Sequence, residues 1–292
     1  MLGSFLLRLY ASTQGPMVSP GRIDGQVHSV FDKVCNLRLC DGSFLALGRE
    51  DVFNGPGIIR CQTDRGFSFL DYINTGEPCA YRRGILRIGK HLQVDLRRSI
   101  PWQNCINRAK ADYIPALHNV YMKIFNSELS FSRVIETVAN PERYLLRGTN
   151  LPIALAPLVG KGPGLTPLGD DFIVGVAAGM EAPPNARNLI SFWLNSVVDK
   201  TTILSGRVLH YASYGWFIEP IVEFVNNLSD MSQMEKPIPL LTIGDTSGIA
   251  MAYGCLVGFQ VGKNLDKNTG TDKSGCSIRR PIPNYSPDNQ AA

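Results

Sequence analysis

The spacing of apolar residues changes once along this chain, near Cys105, and the change limits the folds open to it. Before that point apolar and polar residues alternate, the pattern of strands with one buried face. Leu37 and Leu39 alternate with polar neighbours, Asp41-Gly42 supplies turn chemistry, and Leu45 and Leu47 resume the alternation. Ile85-Leu86-Arg87-Ile88, a Gly89-Lys90 turn, and Leu92, Val94 and Leu96 repeat the design. After Cys105, Ile106, Ala109, Tyr113, Leu117, Val120 and Ile124 recur at steps of three and four, the stripe of an amphipathic helix. Helix-compatible apolar runs follow at 172–180, 189–198, 203–214, 221–228 and 249–261.

The expectation is an α+β chain: a β-rich, barrel- or sandwich-like domain at 21–104, then a mainly α-helical domain at 105–262. Residues 1–20 read as an N-terminal extension, and 263–292, polar with few apolar anchors, as a flexible tail. The loop Asn54-Gly55-Pro56-Gly57 is expected to need unusual backbone angles. No internal repeat is evident.

Composition narrows the partners. A 292-residue chain that is 44% hydrophobic and 18% charged can bury a proper core. Its net charge of +4, with no basic run interleaved with aromatics, argues against nucleic acid. No apolar run is long enough to span a bilayer, and the segment Met1 to Arg8 lacks the shape of a secretion signal, so a cytoplasmic setting is expected. Seven cysteines with no C-x-x-C pair suit reduced thiols better than disulfides or zinc.

Three segments can carry chemistry. In Gly160-Lys161-Gly162-Pro163-Gly164-Leu165-Thr166-Pro167-Leu168-Gly169-Asp170-Asp171, alternate glycines allow sharp turns and close approach to a ligand. Thr166 as N-cap and Pro167 at the first helical position would start a helix there. A helix N-terminus fed by a glycine loop attracts anions through its free N–H groups and its dipole. Asp170 and Asp171 would repel such an anion unless a hard cation such as Mg²⁺ sat between them. Adjacent helical residues point about 100° apart, so one carboxylate can face a ligand while the other caps backbone N–H groups.

Thr201-Thr202-Ile203-Leu204-Ser205-Gly206 reads as a capped helix start, with Gly206 marking close packing or close ligand approach. Thr202, Gly206 and His210 share a helix face; His210 is a conceivable proton carrier, although such a histidine is more often simply packed. Ile243-Gly244-Asp245-Thr246-Ser247-Gly248 precedes the last apolar helix and repeats the combination of hydroxyls and flexible backbone. Three such junctions suggest helix N-termini converging on one pocket for a carboxylate or other anion.

Taken in order, these segments resemble the AllH-like family. The resemblance begins at Asn36-Leu37 and Asn54-Gly55-Pro56-Gly57. It is strongest from Gly160 to Pro167 with Asp170-Asp171. It continues through Thr201-Thr202, Ser205 and Tyr211-Ala212 to Leu240-Leu241, Gly244 and Thr246-Ser247-Gly248. The resemblance implies one subunit of a multi-subunit oxamate carbamoyltransferase, which moves a carbamoyl group between oxalurate and phosphate. Asp245 stands where similar sequences carry His, and Ala250 where they carry Asp, which puts the same substrate in question.

On this reading Asp170 and Asp171 serve acid–base catalysis or hold Mg²⁺. Gly160, Lys161, Gly162, Gly164 and Thr166 surround an anion such as phosphate. Thr201, Thr202, Ser205, Thr246, Ser247 and Gly248 hydrogen-bond a carboxylate or carbamoyl oxygen. The partners expected are the other subunits of such a complex and small anionic substrates. A non-catalytic anion-binding or scaffold subunit, and a free-standing metal-dependent hydrolase, are the alternatives.

Overall fold

The structure, a computed structural model, describes residues 6–18, 23–103, 105–107, 121–122, 125–126, 131–138, 150–183, 186, 189–228 and 238–269. The chain divides into two compact units between residues 104 and 105.

The first unit is a closed barrel. Its strands are β1 (Leu7–Gln14), β2 (Ile23–Val30), β3 (Val34–Leu39), β4 (Phe44–Arg49), β5 (Ile58–Gln62), β6 (Pro78–Arg82), β7 (Ile85–Ile88), β8 (Leu92–Asp95) and the short β9 (Ile100–Pro101). They run in the order β5-β4-β3-β2-β6-β7-β8-β1, and β1 also pairs with β5, which closes eight strands into a ring. Closure leaves these strands without free edges and decides for a barrel over a sandwich. β9 continues along β1 beyond β8, with Thr13 opposite Ile100.

Both hairpins read from the alternation form, with Leu37 opposite Leu45 and Leu86 opposite Val94. Their inward residues Leu37, Leu45, Leu47, Leu86, Ile88, Leu92 and Val94 are buried. Full burial of each such side chain contributes about 1.5–3 kcal/mol. Cys35, Cys61 and Cys79 line the same core. The six described cysteines are free, and Cys276 lies outside the described residues. Burial pushes the Cys35 and Cys61 thiols up to about 12, so they act as apolar packing.

Two readings of this half change. β1 falls inside the stretch assigned to an extension: Leu9 and Ala11 are buried and Tyr10 is exposed, so Arg8 is the polar half of an alternation. The loop at 54–57 does not use positive φ at Gly55 or Gly57. The constraint falls on Gly15, whose added Cβ would lie 2.1 Å from the Gly55 carbonyl oxygen. Buried Asn54 accepts the Thr13 hydroxyl at 2.5 Å.

The second unit holds α1 (Phe131–Val138), α2 (Leu151–Leu155), α3 (Leu168–Met180), α4 (Ser191–Ser196), α5 (Ile203–Ser213), α6 (Glu219–Asn227) and α7 (Ser247–Thr269). Of the stripe expected from Ile106 to Ile124, only Ile106 is described, and it is not helical. α7 runs past residue 262, so the start of the expected tail is helix; residues 270–292 lie outside the described residues. Among the described residues no helix is long and apolar enough to cross a membrane.

At the centre of this unit α3 and α7 pack backbone to backbone. A Cβ on Gly175 would lie 2.1 Å from the Met251 carbonyl oxygen, and one on Gly179 2.1 Å from that of Cys255. Reciprocally, a Cβ on Gly254 would lie 2.3 Å from the Phe172 oxygen, and one on Gly258 2.1 Å from that of Val176. Both helices advance together, so they are parallel. Each glycine meets the carbonyl three residues before its counterpart, which is the relation of a two-fold axis between the helices. Their starts match as well: a Cβ on Gly169 would lie 2.1 Å from the Leu158 oxygen, and one on Gly248 2.0 Å from the Leu240 oxygen. The spacing Gly169-x5-Gly175-x3-Gly179 recurs as Gly248-x5-Gly254-x3-Gly258. A repeat is therefore present, hidden because little beyond its glycines is shared.

Candidate functional site

Parallel packing sets the N-termini of α3 and α7 at the same end of the pair. The loop before α3 has Gly160 at φ 69°, Gly162 at 120° and Gly164 at 91°, a left-handed region in which side chains are strained. The N-cap of α3 is Pro167 and its first helical residue is Leu168, one position later than the sequence suggested. Thr166 belongs to the exposed stretch 161–166, and Lys161 Nζ donates to the Thr137 carbonyl at 2.6 Å.

Main-chain donors at both helix starts are partly used within the chain. Gly169 N–H donates to the Lys161 carbonyl at 2.8 Å, and Gly248 N–H to the Ile243 carbonyl at 2.9 Å. The Thr246 carbonyl accepts from Ala250 N–H at 3.0 Å. An anion here would meet the helix dipoles but fewer open N–H groups than the glycine pattern suggested.

The two aspartates divide the work. Asp170 is buried; its Oδ1 accepts Gly160 N–H at 2.8 Å, and its Oδ2 accepts the hydroxyls of Thr201 at 2.5 Å and Ser205 at 2.8 Å. It therefore caps backbone and ties the 201–206 segment to the glycine loop. Thr202 closes the same junction, accepting Ser205 N–H at 3.1 Å and donating to the Leu165 carbonyl at 2.5 Å. Gly206 is required by packing, since a Cβ there would lie 2.3 Å from the Val198 oxygen.

Asp171 is 3% exposed, and its Oδ2 has no hydrogen-bond partner among the described residues. Burial pushes its carboxyl up to about 7; the Ser247 hydrogen bond opposes the shift and the Asp170 charge adds to it. Through Ser247, the first residue of α7, Asp171 links the third segment to the first. Gly244 takes φ 60°, while Asp245 is exposed and paired with Arg133 at 2.8 Å.

His210 lies on the Thr202–Gly206 face, buried, with Nδ1 2.9 Å from Asn195 Oδ1 and its ring edge-on to Tyr214. Burial, then the Arg207 charge, holds it down at about 4, so it is a neutral packed imidazole at pH 7. For Mg²⁺ the donor set is short. Asp170 is committed to three internal donors, which leaves Asp171 as the carboxylate on offer, and no cluster of three or more acidic, His or Cys ligands occurs among the described residues.

A family model described as oxamate carbamoyltransferase subunit AllH matches residues 158–259, and one for the AllH family N-terminal domain matches residues 7–104. The chain belongs to the AllH family. The N-terminal AllH match begins at Leu7, the first residue of β1. The other AllH match opens at Leu158, against Gly169, and closes at Phe259, against Gly179, so it encloses the whole glycine seam. No solved structure matches the chain. Gly175, Gly179, Gly254 and Gly258 were not read from the sequence as site-building residues; their four-residue spacing inside apolar helices was the available signal.

Proposed function

We propose that this protein works as one subunit of an oxamate carbamoyltransferase-type complex, on carboxylate or carbamoyl and phosphate substrates, with Asp171 as its acid–base group. The observation that carries the reading is a deeply buried carboxyl with an oxygen left without a hydrogen-bond partner, at the shared N-terminal end of two parallel helices. In the transfer, a phosphate oxygen attacks the carbamoyl carbon of oxalurate, the carbon–nitrogen bond breaks, and oxamate leaves as its nitrogen takes a proton. A carboxyl that titrates at about 7 can hold that proton and return to charge once it is given. Ser247 keeps the carboxyl oriented. Asp170 with Thr201, Ser205 and Gly160 acts as the frame beneath, Thr202 holds the 165 end of the loop, and the cytoplasm is the expected setting.

The test is carbamoyl phosphate formation from oxalurate and phosphate in the complex reconstituted with its other subunits. Asp171→Asn, close in shape, is expected to lower turnover about 100-fold or more. Full turnover in that variant would remove Asp171 from the chemistry and leave a scaffold role.

A further inference from the structure

Asp171, Gly175 and Gly179 recur at steps of four on α3 and share one face. Ala250, Gly254 and Gly258 do the same on α7. The glycines identify both faces as the seam, because each abuts the opposite backbone. The two-fold relation therefore gives Asp171 a counterpart, Ala250, one turn before the first glycine of the other half. Both positions are buried, at 3% and 0% exposure. Asp170 has its own counterpart in Ile249, equally without charge. At the N-terminal end of the seam, one helix thus carries both carboxyls and the other none. The oxygen without a hydrogen-bond partner, Asp171 Oδ2, is enclosed and meets no second carboxylate from the equivalent position, which is Ala250.

Two carboxylates at equivalent positions of such a helix pair would call for a divalent cation between them. One carboxyl beside a methyl group calls instead for a neutral hydrogen-bond donor, such as the N–H of a carboxamide. We propose that Ala250 is the specificity-determining residue of the Asp171 site, selecting a carboxamide-bearing ligand over a divalent cation by withholding the second carboxylate. The inference rests on Asp171 being the ligand-facing group.

The experiment follows the thermal midpoint of the full-length chain with Mg²⁺ or with oxamate. Wild type is expected to rise by about 3 °C or more with oxamate and to stay unmoved by Mg²⁺. Ala250→Asp is expected to reverse both responses, and the neutral Ala250→Asn to respond to neither. Equal Mg²⁺ shifts in wild type and Ala250→Asp would overturn the proposal, as would no oxamate shift in wild type or no Mg²⁺ response in folded Ala250→Asp.

Should Ala250→Asp fold only with Mg²⁺, the proposal stands. If it folds under neither condition, Asp171→Ala/Ala250→Asp moves the single carboxyl across the two-fold axis without adding charge. That variant is expected to fold and to regain the pH-dependent stability that Asp171→Ala loses; failure to fold while Asp171→Ala folds shows the positions inequivalent. None of these readouts is turnover. An active Asp171→Asn complex would sink the catalytic role while leaving the metal and oxamate responses to be judged separately.

Discussion

Asp170 and Asp171 are adjacent in sequence and bind different parts of the fold: Asp170 takes Gly160, Thr201 and Ser205, and Asp171 takes Ser247. The turn of about 100° between neighbouring helical residues is enough to send one carboxylate into the frame and the other toward the second helix.

Replacing Asp170 by Ala removes the acceptor of three donors at a buried position. The expected loss of stability is about 3 kcal/mol or more, because each stranded donor keeps its desolvation cost. Urea denaturation measures it, and a loss below about 1 kcal/mol would show that the loop re-pairs its donors elsewhere.

Two buried groups pull the pH dependence of stability in opposite directions. Folded Asp171 keeps its proton to about pH 7 whereas the unfolded group releases it near 3.8, so stability falls as pH rises through that window. Unfolded His210 takes a proton below 6.5 and the folded one only below about 4, so stability falls as pH drops through its window. The upper limits are about 4 kcal/mol for Asp171 and about 3 kcal/mol for His210. Between pH 4 and 6.5 the wild-type curve should be nearly level. Asp171→Asn should then climb with pH and His210→Gln should fall; parallel curves for all three proteins would contradict both assignments.

Gly254→Ala sets helix propensity against packing. Propensity favours Ala by about 1 kcal/mol, but the methyl group would stand 2.3 Å from the Phe172 carbonyl oxygen. Overpacking costs about 1–3 kcal/mol or more, so a net loss is expected, with a lower thermal midpoint. Gly175→Ala should behave alike, since its methyl meets Met251 in the mirrored contact.

Asp245→Ala should hardly matter to stability. The Arg133 pair is open to solvent on both sides, and exposed pairs contribute about 0.2–1 kcal/mol or less. A larger loss in thermal unfolding would mean that the 244–248 turn depends on that carboxylate.

Much of the fold could be read directly. The Leu37 to Leu47 and Ile85 to Leu96 alternations became hairpins because a half-buried strand must show period two. β1 escaped because Arg8 looks like the end of an apolar patch unless its alternation with Leu7 and Leu9 is weighed. The convergence of three junctions was visible as shared chemistry, and Asp170 and Asp171 are the residues that join them. The commitment of Gly169 and Gly248 N–H groups to nearby carbonyls was not visible, since it depends on how each loop folds back. The two-fold seam was hidden by composition: glycines in apolar helices read as weakness until their partners are known.

The barrel has a further consequence, in the order of events rather than in the finished shape. Its first strand lies between β5 and β8, so the ring cannot close until the eighth strand has been made. During synthesis β1 emerges first and waits longest for its parallel partner. Pairings so distant along the chain fold slowly. The ring's last seam is thus the step most exposed to being mispaired.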